Sequence, residues 1–249
     1  FYGEPDPELA RQALPAQLKL MEALLESAPR DARLLGTLAE GFCGYSFLFL
    51  DDSAPARAKG LYIRGRDFAF RKLSRNKKLS GLVTLELDAL HAALARAEAK
   101  DAPALFWAGF GWASYINLSK DNSAVLADLP KAVAIMERVL ALDPNYNFAG
   151  AALFFGVYYA SRPAILGGDV KKSRAHFQEA RRRTAGKYLM NYILEARYLA
   201  VAQQDLEAFQ GLLVKVKEAP AGILANARLA DEVAKQKAAQ LMEKSDDLF

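Results

Sequence analysis

Apolar residues recur along the chain at spacings of three and four, and segments that alternate every second residue are absent. The pattern therefore predicts helices throughout. Ala, Leu, Arg, Lys and Glu dominate the periodic segments, which agrees with that reading. Polar breaks are regular. "APRD" (28–31), "DDSAP" (51–55), "SRNKK" (74–78), "KDAP" (100–103), "SKDNS" (119–123), "LDPN" (142–145), "SRP" (161–163), "LGGD" (166–169) and "EAPAG" (218–222) supply turn residues and helix starts. Between them lie segments of roughly 12 to 22 residues, which gives ten to twelve helices joined by short loops. The expected fold is all-α, an array of antiparallel helix pairs forming a single domain over residues 1–249. One segment does not fit a one-sided stripe. "ALFFGVYYASRPAILGGD" (152–169) places two Phe and two Tyr within its first eight residues and is apolar nearly all round. Such a helix either lies at the centre of a large core or turns one face towards a cavity.

Internal repetition sharpens the prediction. The hexapeptides GFCGYS (41–46), GFGWAS (109–114) and GVYYAS (156–161) each open on Gly, close on Ser and carry aromatics. The first two begin 68 residues apart, twice a period of 34, and the next interval is 47, which requires an insertion. A second motif follows each: Ala58, Tyr62 and Gly65; Ala132, Met136 and Val139; Ser173, Phe177 and Ala180. These offsets match the second helix of a tetratricopeptide repeat (TPR), in which small residues let two helices cross closely and a larger one fills the groove. The array is thus read as a TPR-like α-solenoid, with a degenerate cap over 1–30, repeats over about 31–215 and terminal helices over 216–249. Residues 116–131 and 161–173 are insertions at the rim, suited to ordering a partner or gating a cavity.

Three strings taken together, "GFGWASYINLSKDNSAVLADLPKAVAIMERVLALDP", "ALFFGVYYASRPAILGGDVKKSRAHFQEA" and the upstream "RGRDFAFRKL", resemble the T-component family of TRAP transporters (TatT-like proteins). The resemblance covers about residues 30–215 and is most specific around "LGGD…KSRAHFQEA". It implies a periplasmic, often lipid-anchored helical protein that works with a periplasmic substrate-binding protein. It further implies a hydrophobic tunnel, a homo-trimer, and a kinship with bacterial lipid or sterol transport. The chain opens on "FYGEPDPE" without an initiator Met, so a mature form that has lost a leader or a lipidated cysteine is expected.

The aromatic helices carry the candidate ligand contacts: Phe42 and Tyr45; Phe106, Trp107, Phe110, Trp112 and Tyr115; Phe155, Tyr158 and Tyr159. At 100° per residue Trp112 shares a face with Tyr115, and Phe155 with Tyr158. Rings around the whole circumference of such helices cannot all pack between neighbours, so some are expected to face a concave space that suits an apolar ligand; the resemblance implies a fatty acid, another lipid or a sterol. Glu40, Asn117 and Arg162 lie near the same helix ends and are the candidate polar contacts. The bland alternative is that these rings are core and the polar groups satisfy backbone. On that reading the protein is a TPR scaffold that binds protein and no small molecule.

Charge adds one feature. The chain has 33 Lys and Arg against 29 Asp and Glu, a net charge of +4, and the excess concentrates between 57 and 78. There Arg64, Arg71, Arg75 and Lys78 follow helical periodicity and form a stripe suited to docking a partner or a membrane surface. No nucleic-acid motif accompanies it, so nucleic acid is not an expected partner. "GFGWAS" lacks the strand a dinucleotide loop needs before it. Two His 85 residues apart and the single Cys43 make no metal site, and no paired carboxylates sit where catalysis could use them. No cofactor and no catalytic role are expected. No apolar run reaches the ~18 residues of a membrane span.

Overall fold

The computed structural model describes residues 2–249, and among them every regular element is helical. In chain order the α-helices are α1 (Pro7–Ser27), α2 (Ala32–Tyr45), α3 (Pro55–Leu73), α4 (Leu87–Leu94), α5 (Ala102–Asn117), α6 (Ser123–Leu126), α7 (Leu129–Leu142), α8 (Tyr146–Ala160), α9 (Val170–Arg183), α10 (Met190–Leu194), α11 (Leu206–Glu218), α12 (Arg228–Glu243) and α13 (Ser245–Leu248). Thirteen among the described residues exceed the ten to twelve expected, because a short turn closes within the 116–131 insertion and the terminal helices end in a further short one. Asn122 starts α6 by accepting from the amides of Ala124 (3.1 Å) and Val125 (3.3 Å), and the last residues coil into α13.

The punctuation read from the sequence does start helices. Asp31 accepts from the amides of Arg33 and Leu34, both at 2.8 Å, at the head of α2. Asp169 does the same for α9, taking the Lys172 amide at 3.0 Å. Asp205, which lies outside the breaks read from the sequence, does so for α11, taking the Ala208 amide at 2.9 Å. Each satisfies amide groups that have no partner within the helix. Proline occupies the first turn of α3, α5 and α7, where its missing N–H costs nothing.

The chain divides into two compact units. Unit I is Arg11–Tyr146; unit II comprises residues 2–10 and Asn147–Phe249. In unit I, α3 packs on α2 and α5, and α5 on α7. Helix α5 is the central element, buried from Ala104 to Gly109 and again from Gly111 to Ala113. In unit II, α9 lies along α8, and α10, α11 and α12 pack together. Asp231 of α12 is fully buried and accepts from the amides of Leu189 (3.1 Å) and Gly222 (3.2 Å).

All nine residues assigned to the second-helix motif are buried, eight of them with 0% exposure. In two copies the opening glycine of the hexapeptide meets the motif's large residue. A Cβ at Gly109 would lie 2.9 Å from Met136 Sδ, and one at Gly156 would lie 2.9 Å from two atoms of the Phe177 ring. Ser173 Oγ also donates to the Gly156 carbonyl at 2.8 Å, so the α8–α9 crossing is pinned at one point. The first copy differs, since Gly41 accommodates Leu18 of α1 instead.

Three local features were not legible in the periodicity. Helix α2 runs on into a π turn at Ser46–Leu50, and α10 into another at Glu195–Ala200. At the first, Ser46 Oγ donates to the Phe42 carbonyl at 2.8 Å and the Asp51 amide reaches back five residues to the Ser46 carbonyl at 3.0 Å. The third feature lies at the start of α8. Asn147, Phe148 and Ala149 are all left-handed, with φ of 48°, 58° and 61°. For Phe and Ala this conformation costs about 1–2 kcal/mol per residue. Phe148 stacks on Tyr188 at 4.5 Å, which holds the turn in place.

Candidate functional site

The aromatic helices produce one ring assembly in each unit. In unit I, Phe106 and Phe110 stack one turn apart on α5, with centroids 5.6 Å apart and planes at 7°. Trp107 meets both edge-on, at 4.9 and 5.8 Å, while Phe47 and Tyr62 approach Phe110 at 5.6 and 6.0 Å. Tyr146 closes the group 5.3 Å from Phe106, and its hydroxyl oxygen accepts from Trp107 Nε1 at 3.0 Å. That bond satisfies an indole N–H that is otherwise removed from water. Burial, with the nearby Glu40 charge, raises the Tyr146 phenol above its usual range. Phe110 and Tyr146 are half-buried; Phe106 and Trp107 are buried.

The other unit I candidates lie elsewhere on the same helices. Trp112 meets Phe70 edge-on at 5.8 Å with the Arg66 guanidinium 5.3 Å from its ring, and it is buried. Phe42 stacks on Phe68 at 5.9 Å beneath Arg64, and Tyr45 meets Phe49 at 5.5 Å. Tyr115 and Asn117 are half-buried at the end of α5. Glu40 is half-buried as well; desolvation raises its carboxyl above the usual carboxylate range, opposed by the Lys72 charge.

In unit II the rings of α8 form a surface that α9 completes. Phe154 stacks on Tyr158 at 5.9 Å, Phe155 meets Tyr158 at 6.1 Å and Tyr159 at 6.2 Å, and Tyr158 meets Tyr159 edge-on at 5.1 Å. His176 lies flat on Tyr159, 5.7 Å away at 13°, and 5.3 Å from Phe155. Burial lowers the imidazole's affinity for a proton; Glu179 opposes this and Lys172 adds to it. Two cations lie against the assembly: Arg162, 3.8 Å from the Tyr158 centroid and bonded to the Tyr158 carbonyl at 3.3 Å, and Lys172, 5.3 Å from the Tyr159 ring. Phe155 is buried, whereas Phe154, Tyr158, Tyr159, Arg162 and His176 are half-buried. The segment at 152–160 is thus core on one side and partly open aromatic surface on the other.

Helix α3 ends at Leu73, so Arg64 and Arg71 stand on it while Arg75 and Lys78 lie beyond its end, and the expected helical stripe stops short. Its arginines are engaged within unit I. Arg64 pairs with Glu22 of α1. Arg71 donates to the Pro29 carbonyl at 3.2 Å, and Arg75 donates to the Arg30 carbonyl. These bonds tie α3 to α1, and the end of α3 with the segment after it to the turn between α1 and α2. Arg75 and Lys78 also border a cleft of about 380 Å³ shared with Lys72, Lys100, Glu98 and Asp101, in which Lys100 pairs with Glu98 at 2.8 Å.

Sequence reasoning grouped the rings by repeat and left out several partners, among them Tyr146 and His176. Tyr146 sits just after a string that reads as a turn, "LDPN", and His176 was weighed only with the other His and Cys43 as a metal ligand. The second had a signal: it stands four residues after Lys172 and directly before the buried Phe177, on the α9 face nearest α8.

The family described as "TRAP transporter T-component" matches residues 3–249. A protein of Treponema pallidum (strain Nichols), described as uncharacterized, is 25% identical over 233 residues, covering 86% of this chain and 71% of the relative. With a match that spans nearly its whole length, the chain belongs to the TRAP transporter T-component family.

Proposed function

We propose that this protein is a periplasmic accessory component that holds or relays an apolar small molecule, a fatty acid, other lipid or sterol, together with a substrate-binding protein. The T-component family is one of transport accessory proteins and not of enzymes. Among the described residues no helix is long and apolar enough to cross a membrane. The observation that carries the ligand reading is the aromatic surface of unit II. Phe154, Tyr158 and Tyr159 are only half-buried although they are large and apolar, and they lie side by side. An apolar ligand laid on these rings removes area from water at ~25 cal/mol per Å². Arg162, lying on Tyr158, is placed to meet a carboxylate or hydroxyl at one end of such a ligand. Burial weakens that guanidinium's hold on its proton and leaves its charge poorly solvated, which favours an anionic partner.

The test is solvent extraction of the purified protein followed by mass spectrometry, beside native mass spectrometry of the intact chain. A stoichiometric lipid or sterol is expected, and the double change Tyr158→Ala/Tyr159→Ala is expected to release it. A clean apo mass with no uptake on incubation would overturn the proposal and leave a protein-binding scaffold as the better account.

A further inference from the structure

The loop joining α8 to α9 is built rigidly and yet presents its apolar residues to solvent. Pro163 accepts from the amides of Leu166 (2.9 Å) and Gly168 (3.1 Å), Ala164 accepts from Gly167 (3.0 Å), and the Asp169 amide returns to the Tyr159 carbonyl at 3.1 Å. The Arg162 carbonyl fills the place that a side chain at Gly168 would occupy, so only glycine closes this turn. At its tip Ile165 is 91% exposed and Leu166 68% exposed, the two highest values among the exposed large hydrophobic residues of the described chain. Folding does not require these side chains, and leaving two adjacent aliphatics in water is unfavourable.

The charges beside the tip are equally specific. Helix α9 begins with Lys171, Lys172 and Arg174, all exposed, and has no acidic residue in its first turn. Cations at a helix N-terminus oppose the helix dipole. Lys172 is partly compensated by Asp169 at 3.9 Å and by the Tyr159 ring. Neither the tip nor the cations next to it are explained by the packing of unit II.

We propose that the 163–174 loop and helix start dock on an anionic lipid surface, with Ile165 and Leu166 entering the acyl boundary and Lys171 and Arg174 meeting headgroup phosphates. The chemistry is complementary: an apolar tip next to cations matches an interface whose outer layer is anionic and whose inner layer is apolar. A protein partner fits less well. A convex tip with two aliphatic side chains is far smaller than the roughly 800 Å² per partner of a standard interface. The site adjoins the aromatic surface at Lys172, but Ile165, Leu166, Lys171 and Arg174 are no part of that surface, and the proposal does not depend on the ligand reading.

The full chain is to be floated with phosphatidylcholine vesicles and with vesicles that also contain phosphatidylglycerol. Binding is expected to the anionic vesicles only and to weaken with salt. Ile165→Ser/Leu166→Ser and, separately, Lys171→Gln/Arg174→Gln are each expected to reduce partitioning about tenfold or more. Their thermal unfolding should match that of the parent, because these side chains are exposed. Leu206→Ser, an exposed aliphatic on α11, should float like the parent. Absence of binding to anionic vesicles, or equal binding by the Ile165→Ser/Leu166→Ser variant, would overturn the proposal. Lipid content after extraction is to be measured on the same variants, so failure of docking and failure of ligand binding register separately.

Discussion

Replacing Gly156 by Ala tests the packing logic of the repeats. In an exposed helix interior this change stabilises by about 0.8–1 kcal/mol, because Ala is the better helix former. At Gly156 the added Cβ would stand 2.9, 2.9 and 3.0 Å from three carbons of the Phe177 ring. Real Cβ contacts almost never fall that short, so the ring or the helix must shift. The ring has little room, since Phe177 is fully buried on α9. The helices cannot easily separate either, because Ser173 Oγ holds the Gly156 carbonyl at 2.8 Å at the same crossing. Overpacking of this kind costs about 1–3 kcal/mol. Set against the propensity gain, the net expectation is a loss of about 1 kcal/mol, with an upper bound of about 2. For a chain of this length that lowers the melting temperature by about 2–4 °C per kcal/mol.

Urea denaturation and a thermal melt of four proteins decide the matter: parent, Gly156→Ala, Phe177→Leu and the double variant. Phe177→Leu alone should destabilise by leaving a void. In its background Gly156→Ala should be neutral or stabilising, giving a coupling of about 1–3 kcal/mol. Should Gly156→Ala raise the urea midpoint in the parent background, or the two changes add independently, the close crossing of α8 and α9 would not be what selects glycine there.

Two further predictions concern titratable groups. Cys43 is fully buried, and desolvation pushes its thiol well above the ordinary range; a disulfide reagent at pH 8 should leave it unlabelled until denaturant is added, and rapid native labelling would contradict the packing of α2 on α3 and α5. His176 should titrate below 6.5, the ordinary value, by NMR of its ring protons, because burial against Tyr159 and Phe155 disfavours the imidazolium. A folded value below the unfolded one means that the stabilisation is present above pH 6.5 and is lost as the pH falls through the folded value. A measured value at or above 6.5 would mean that burial against these rings does not govern the imidazole.

Sequence by itself determined the class and the grain of this fold. Periods of three and four, with Asp, Asn and Pro at the breaks, were sufficient for helices and for the starts of α2 and α9. There the responsible bonds are local, between Asp31 or Asp169 and amides two or three residues on. The offsets of Ala132, Met136 and Val139, and of Ser173, Phe177 and Ala180, also marked buried positions, because the spacing along one helix face is a property of a single segment. Which rings meet which is a different kind of fact. Phe106 and Trp112 stand on the same helix, yet one joins Phe110 and Tyr146 while the other joins Phe70 and Arg66. That outcome depends on helices that arrive from elsewhere in the chain. The same holds for Arg64, Arg71 and Arg75, whose spacing was visible but whose partners, Glu22 and the carbonyls of Pro29 and Arg30, were not, nor was the end of α3 before Arg75. The π turn at Ser46–Leu50 and the left-handed turn at Asn147–Ala149 run against local preference and persist only where surrounding packing outweighs it. Tertiary structure alone decided that Tyr158 and Tyr159 remain partly open beside His176, and that Ile165 and Leu166 point into solvent. A segment's own periodicity does not reveal what its neighbours leave uncovered.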